Sequence, residues 1–190
     1  MRKSSSGKFS GIKRPFKLEE IWRIRTRLEI ENDLMQLALL NLVIDSKSRA
    51  IDLLKQGVIY DRVQCIQQKT GTDVHYEITP RTQQSISRWI FAASLEASSF
   101  LFPSSRRSGQ PISYSFYRAI IRSWAVKLGL NADYYGTHSM RRTKATLIYA
   151  RTKNIRAVQI LLGHSKLDNT IRYLGVELED ALRLSEKTDC

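Results

Sequence analysis

Apolar residues recur at helical spacing along most of the chain, so the sequence predicts a mainly helical protein. In the first segment, for example, Ile21 and Ile24 lie on one face. Later helices begin at residues whose side chains can cap an N-terminus, namely Thr79, Ser113, Thr137 and Asn154. The predicted helices cover about residues 18–28, 34–44, 46–57, 80–95, 114–128, 138–150, 155–162, 169–173 and 177–186.

A strand pattern interrupts these helices after Gly57. Apolar residues alternate in part over residues 58–68 and again from Val74 to Ile78. The segment between them, Lys69-Thr-Gly-Thr-Asp, is typical of a turn, which predicts a β-hairpin with Lys69 at or near its tip. The expected fold class is therefore mainly α with a small antiparallel β-hairpin.

The charge of the chain favours a polyanionic partner. There are 31 Lys and Arg residues against 18 Asp and Glu residues, a formal net charge of +13. Such a surplus is typical of nucleic-acid binding, although a basic protein kept soluble by its charge is the alternative. Residues 1–17 hold six basic residues and no acid, which predicts a flexible basic arm along phosphates or a solvated tail.

Several classes of protein are disfavoured. The two cysteines, Cys65 and Cys190, have neither metal-ligand spacing nor a disulfide framework. The N-terminal residues have no apolar stretch after them, and the run from Leu37 to Ile44 is too short to span a bilayer. No cluster of carboxylates could hold a metal. We expect a cytoplasmic protein, associated with the nucleoid, with no metal, cofactor or membrane partner.

The second half of the chain concentrates residues that suit phosphate chemistry. His138 and Arg141 are three residues apart, so they share a face in the first turn of a helix, where free N–H groups also favour an anion. The sequence Leu-Leu-Gly-His164 follows, and Tyr173 lies nine residues beyond it. Each residue alone is more often a surface or packing residue, but several functional types coincide here.

In order and spacing, this series resembles the catalytic signature of the tyrosine recombinases, the phage integrase family. The resemblance implies the catalytic-domain fold of that family over residues 18–190, including a C-terminal helix at about 177–186. It also implies an arginine and an acid near the start of the third helix, and a lysine on the hairpin. Arg49, or Lys47 in its place, Asp52 and Lys69 are the candidates.

The same resemblance implies the reaction. Arg49 and Arg141 would hold the scissile phosphate, Tyr173 would attack it to form a 3′-phosphotyrosine link, and His138 would act as base. Lys69 would protonate the leaving 5′ oxygen, and His164 would bind the phosphate and position the tyrosine. A basic stretch predicts contacts to the DNA backbone from Arg142, Lys144, Arg151, Lys153 and Arg156.

The expected function is site-specific DNA recombination without metal or ATP, such as the integration, excision or inversion of mobile DNA elements. Expected partners are double-stranded DNA carrying recombination sites, further copies of the chain in a tetramer and, as a further candidate, an accessory protein. Since residues 1–17 are too short for the N-terminal domain of larger members, we expect a catalytic-domain-only member, or else a fragment. A non-catalytic DNA-binding regulator of the same fold and a type IB topoisomerase are the alternatives.

Overall fold

The computed structural model describes residues 13–46, 62–66, 73–96 and 98–174 of the chain. Helices account for most of those residues. They are α1 (Leu18–Ile30), α2 (Leu34–Ser46), α3 (Pro80–Ala92), α4 (Tyr114–Lys127), α5 (Thr137–Thr152), α6 (Ile155–Leu162) and α7 (Leu167–Leu174). Strands β1 (Arg62–Ile66) and β2 (Asp73–Glu77) follow α2, and a 3-10 turn (Ala132–Tyr134) precedes α5.

Strands β1 and β2 pair in an antiparallel register, with Val63 opposite Tyr76 and Cys65 opposite Val74. This register places the alternating apolar positions of the two strands side by side. The residues that join the strands, 67–72, lie outside the described part of the chain, and so does Lys69.

Helix α2 is the centre of the fold. Every residue from Leu37 to Ser46 is buried, which is expected for a helix that is apolar on nearly all sides. Helices α1, α3 and α5 pack around it. The buried side chain of Asn41 accepts a hydrogen bond from Arg25 Nε at 2.7 Å and donates one to Ser85 Oγ at 3.1 Å. Both ends of this amide are paired, so its burial does not carry the free-energy cost of an unpaired polar group.

The described residues form two apolar clusters, and α5 contributes to both. The larger cluster contains residues of α1 to α4 together with Met140 at the start of α5. The smaller contains Ala145, one turn further along α5, with Val158, Leu162 and Leu174 from α6 and α7. The residues of α5 between Met140 and Ala145 therefore lie where the two clusters meet.

Local capping signals predict some helix ends correctly. Ser113 Oγ accepts a hydrogen bond from the Phe116 amide, and Asn154 Oδ1 accepts one from the Ala157 amide, so both predicted caps are confirmed. Gly163 ends α6 with a φ of 65°, a left-handed conformation that glycine adopts without strain.

Two other predicted caps are wrong, because the hydroxyl groups have distant partners. Thr79 Oγ1 donates to Asp45 at 2.7 Å instead of capping α3. Thr137 is already the first residue of α5, and its Oγ1 bonds to Tyr114 Oη at 2.7 Å. At this helix start, the hydroxyl of Ser139 accepts a hydrogen bond from the Gly136 amide at 3.1 Å.

The predicted flexible arm over residues 1–17 does not extend to residues 13–17. Phe16 is buried and stacks on Tyr135 with ring centroids 4.4 Å apart. The Phe16 amide donates to Thr143 Oγ1 at 3.0 Å, and the Arg14 amide donates to the Tyr134 carbonyl at 2.8 Å. The side chain of Phe16 thus anchors the basic segment to Tyr135, just before α5, and the backbone amide of Phe16 anchors it to α5 itself. Residues 1–12 lie outside the described part.

Among the described residues, no helix has both the length and the apolar character needed to cross a membrane.

A pair of phenylalanines tests where the core lies. Phe102 is fully buried, whereas Phe91 on α3 is 88% exposed. We expect Phe102→Ala to lower the free energy of unfolding by about 3–5 kcal/mol, because the change removes buried apolar surface and leaves a cavity. Phe91→Ala is the matched control and should change it by less than about 0.5 kcal/mol. Urea unfolding measures both values, and equal small losses would contradict this description of the core.

Candidate active site

The N-terminal part of α5 carries two of the predicted catalytic residues. His138 is exposed there, and Arg141 lies one turn further along the helix, half-buried. The guanidinium of Arg141 donates a hydrogen bond from Nη2 to the Leu162 carbonyl at 3.1 Å. This carbonyl is at the end of α6, so the contact places Arg141 next to the turn that carries His164.

The turn after α6 directs His164 towards α7. Its amide donates to the Gln159 carbonyl at 3.1 Å, and its own carbonyl accepts from Gln159 Nε2 at 2.9 Å, so the backbone of His164 is held on both sides. The imidazole Nδ1 is 3.1 Å from Thr170 Oγ1. This contact fixes the ring and leaves Nε2 as the nitrogen for other interactions.

Tyr173 on α7 lies between His164 and α5. Its ring meets the imidazole of His164 edge-on, with centroids 5.3 Å apart. The Cζ atom of Arg142 lies 5.5 Å from the centroid of the same ring, within range of a cation–π contact. The hydroxyl of Tyr173 is buried and has no hydrogen-bond partner among the described residues, and the same holds for Nε of Arg141.

Burial and charge shift the pKa values of the two central groups. Burial raises the pKa of Tyr173 above its ordinary value, and the positive charges of Arg141 and Arg142 oppose this shift only in part. Burial also lowers the pKa of His164, and the nearby charge of Arg141 lowers it further. In the chain without DNA, the phenol is therefore protonated at neutral pH and the imidazole is largely uncharged.

Arg142 was predicted to contact the DNA backbone, but the structure places it inside the protein. Only 7% of its surface is exposed, and Nη1 donates to the Lys13 carbonyl at 2.6 Å. Its position beside Tyr173 follows from the helix, because adjacent residues of a helix point about 100° apart and Arg141 faces α6. Arg142 belongs to the surroundings of Tyr173, a position that the basic run in the sequence could not indicate.

Lys144, which was also predicted to contact the DNA backbone, has a partner inside the protein. Its Nζ forms an ion pair with the buried carboxylate of Asp45 at 2.6 Å. In the structure, this ammonium group therefore points to Asp45 instead of to solvent. Arg151, Lys153 and Arg156 are exposed, and they remain predictions as contacts to DNA.

Three further candidates, Arg49, Asp52 and Lys69, lie outside the described residues, as does the predicted C-terminal helix over 177–186. Thr170 is a site residue that sequence reasoning did not single out. Its only signal is its position on the same face of α7 as Tyr173, three residues away.

Together, these residues form a cationic site around a phenol. Arg141 supplies a planar guanidinium, and His164 supplies a hydrogen-bonding nitrogen. Such groups suit an anion that develops extra negative charge during reaction, as a phosphodiester does when a hydroxyl attacks it.

Known proteins with similar sequences include recombinases. The chain is 35% identical over 97 residues to the probable integrase/recombinase YoeC of Bacillus subtilis, a match that covers 51% of each chain. It is 34% identical over 84 residues to the tyrosine recombinase XerD of Vibrio cholerae, covering 44% of this chain and 27% of XerD. The matched segments thus span between about a quarter and a half of these relatives.

Known structures share the fold. The XerA recombinase superimposes with a TM-score of 0.74 at 17% identity, covering 93% of this chain and 65% of that one. The Tn1549 transposon integrase in complex with a circular intermediate DNA gives 0.72 at 14% identity, covering 94% and 67%.

The sequence also matches the profile of the phage integrase family over residues 20–179. That range contains all the candidate catalytic residues, including the described group of His138, Arg141, His164 and Tyr173, and it covers most of the chain. The chain therefore belongs to the phage integrase family.

Proposed function

We propose that this chain is the catalytic domain of a tyrosine-type site-specific DNA recombinase, which cuts and rejoins DNA through a covalent phosphotyrosine. The observation that carries the proposal is the position of Tyr173, whose phenol lies against His164 with Arg141 and Arg142 close by. Two guanidinium groups close to a tyrosine could hold a phosphate against its hydroxyl, and this supports the proposal.

In the proposed reaction, the phenol oxygen of Tyr173 attacks the phosphorus of a DNA phosphodiester. A bond forms between this oxygen and phosphorus while the bond to the 5′ oxygen breaks, leaving a 3′-phosphotyrosine and a 5′ hydroxyl. His138 takes the proton of the phenol, and Lys69 gives a proton to the leaving 5′ oxygen. Because the phosphotyrosine conserves the bond energy, a 5′ hydroxyl from another strand can reverse the step without ATP.

Arg141, with Arg49 from the segment after α2, would stabilise the charge that develops on the non-bridging oxygens. Asp52 would support Arg49. His164 would donate a hydrogen bond to the phosphate and hold the tyrosine ring. Since the hydroxyl of Tyr173 is buried in the DNA-free chain, DNA binding must move α7 or the residues that cover it before attack can occur.

We further propose that the domain acts on paired DNA sites as a tetramer, with the exposed residues Arg151, Lys153 and Arg156 gripping the duplex backbone. This activity would associate the protein with the nucleoid of the cytoplasm. Some relatives and structural neighbours are named for DNA recombination, such as the XerH recombinase bound to its difH substrate, and this supports the proposal. The proposal also includes a domain arrangement, with a basic arm confined to residues 1–12 and a catalytic domain over the rest of the chain.

A nucleophile test separates a recombinase from a non-catalytic DNA-binding regulator. Incubated with nicked or bubbled DNA that carries its site, the protein should form an adduct that survives denaturation. We expect Tyr173→Phe to abolish the adduct and leave DNA binding within about twofold, because only one hydroxyl is removed. Denaturing electrophoresis measures the covalent adduct, and a binding titration measures the affinity for DNA. An adduct formed by the phenylalanine variant would mean that Tyr173 is not the nucleophile.

Arg141→Ala should slow adduct formation by about 10²–10³-fold, since removing a donor aimed at the developing charge typically costs about 3–4 kcal/mol of transition-state stabilisation. Single-turnover rates measure this loss. Arg151→Ala, at an exposed position beyond the site, is the matched control. It should weaken DNA binding modestly and leave the rate on saturating DNA unchanged. Equal losses for the two variants would contradict the assigned role of Arg141.

The pKa of His164 should respond to the phosphate. Without DNA, burial and the charge of Arg141 hold this pKa below the ordinary value of about 6.5. A bound phosphate offsets the charge of Arg141 and favours the protonated imidazole, so the pKa should rise when DNA binds. NMR titration of the Tyr173→Phe variant, which cannot cleave, measures both values, and His164→Gln assigns the signal. If the pKa of His164 is unchanged or lower in the complex with DNA, the phosphate does not bind next to His164.

Relaxation of a supercoiled plasmid that lacks any special site would instead favour a type IB topoisomerase.

A further inference from the structure

A short segment before α1 packs against the turn that precedes α5. We call this segment, residues 13–17, the strap. The guanidinium of Arg14 lies over the Tyr134 ring, with Cζ 4.2 Å from the centroid, and Phe16 stacks on Tyr135. Phe16 is buried, so the strap is anchored in the larger apolar cluster and does not merely lie on the surface.

The strap also holds the guanidinium of Arg142. Nη1 of Arg142 donates a hydrogen bond to the Lys13 carbonyl at 2.6 Å. One residue further along α5, Thr143 Oγ1 accepts a hydrogen bond from the Phe16 amide at 3.0 Å. Two neighbouring residues of the helix therefore bond to the backbone of the strap, and a shift of the strap would move the guanidinium of Arg142.

The same guanidinium lies over the ring of Tyr173. Its Cζ atom is 5.5 Å from the ring centroid, a distance at which the negative face of the ring attracts a cation. Burial raises the pKa of the Tyr173 phenol, and the charge of Arg142 opposes this shift together with that of Arg141. Arg142 thus contacts both the strap and Tyr173, and it joins one to the other.

The burial of Arg142 is costly. Only 7% of its surface is exposed, and its Nε has no hydrogen-bond partner among the described residues. The ion pairs among those residues do not include Arg142. A buried charge without a counterion costs free energy, and an apolar side chain of similar length often packs as well or better. An arginine at this position therefore indicates a role in which its charge and its donors matter.

We propose that Arg142 is a positioning residue, through which the strap holds the proposed nucleophile Tyr173 in place for attack on DNA. As an effect on cleavage, this inference rests on the proposed function. Lys13 and Arg142 are 129 residues apart in the chain, so the link is a product of the tertiary structure.

Substitutions of Arg142 test whether its charge matters. On saturating DNA, we expect Arg142→Met to form the covalent adduct about tenfold more slowly or worse, with an unchanged or higher urea midpoint, because an apolar side chain replaces a buried charge. Arg142→Lys keeps a positive charge and a donor, so it should be at least about threefold faster than the methionine variant. A lysine variant as slow as the methionine variant, or a slower reaction with a lower urea midpoint, would indicate a structural role instead.

The strap can be loosened without a change in the site. Phe16→Leu weakens the stacking on Tyr135, and Phe102→Leu is the matched control, since it makes the same change at a similarly buried phenylalanine outside the strap. We expect Phe16→Leu to slow adduct formation about threefold or more, and Phe102→Leu to leave it within about twofold. In the Arg142→Met background, Phe16→Leu should slow it by less than about 1.5-fold, because the link is already broken. Effects that multiply in the double variant would overturn the proposal.

The environment of Tyr173 can be measured without DNA. The chain contains eight tyrosines, few enough for an NMR spectrum of ring-labelled ¹³C-tyrosine, in which Tyr173→Phe assigns the signal. Arg142→Met and Phe16→Leu should both shift this signal, and Phe102→Leu should leave it in place. This measurement does not depend on cleavage.

The two proposals fail in different ways. If the unmodified protein forms no adduct, the proposed function fails and the role of Arg142 in attack fails with it, even where the NMR signal shifts. If the adduct forms and Phe16→Leu changes neither its rate nor the Tyr173 signal, only the positioning role is wrong. A shifted signal with an unchanged rate also overturns the positioning role, because the movement of the ring would then not matter for attack.

Discussion

The structure depends on one helix serving two apolar clusters. Helix α5 places Met140 in the larger cluster and Ala145 in the smaller, and the four residues between them are polar. The polar side chains at this junction point towards α6, towards the segment before α1 and towards α2. The cationic side chains at this junction are therefore held by polar partners from three other parts of the chain.

Burial and charge act against each other around Tyr173. A buried phenol is harder to ionise, whereas nearby guanidinium groups make its ionisation easier, and in the DNA-free chain burial prevails. In the proposed reaction, a phosphate brought by DNA would add an anion beside the guanidinium groups and would require the hydroxyl of Tyr173 to become accessible. The packing that covers Tyr173 also holds its ring beside Arg142.

Helix ends that depend on contacts between residues close in sequence could be predicted from the sequence. Ser113, Asn154 and Gly163 end or begin helices as expected, because each acts on backbone groups within a few residues of itself. Thr79 and Thr137 carried the same signal, yet their hydroxyl groups bond to Asp45 and Tyr114, which are distant in sequence. A cap predicted from sequence holds only where no tertiary partner competes for the side chain.

The sequence by itself determined the mainly helical class and most helix positions, because helical spacing is a local property. It also predicted a site that includes Arg141, His164 and Tyr173, and the structure brings these three residues close together. Only the tertiary structure decided what the other basic residues do. In the sequence, Arg142 and Lys144 are indistinguishable from solvent-exposed cations such as Arg151. Packing places the Tyr173 ring and the Lys13 carbonyl next to Arg142, and it places the Asp45 carboxylate next to Lys144. A charge acquires its role from the groups that folding places around it, and those groups lie far along the chain.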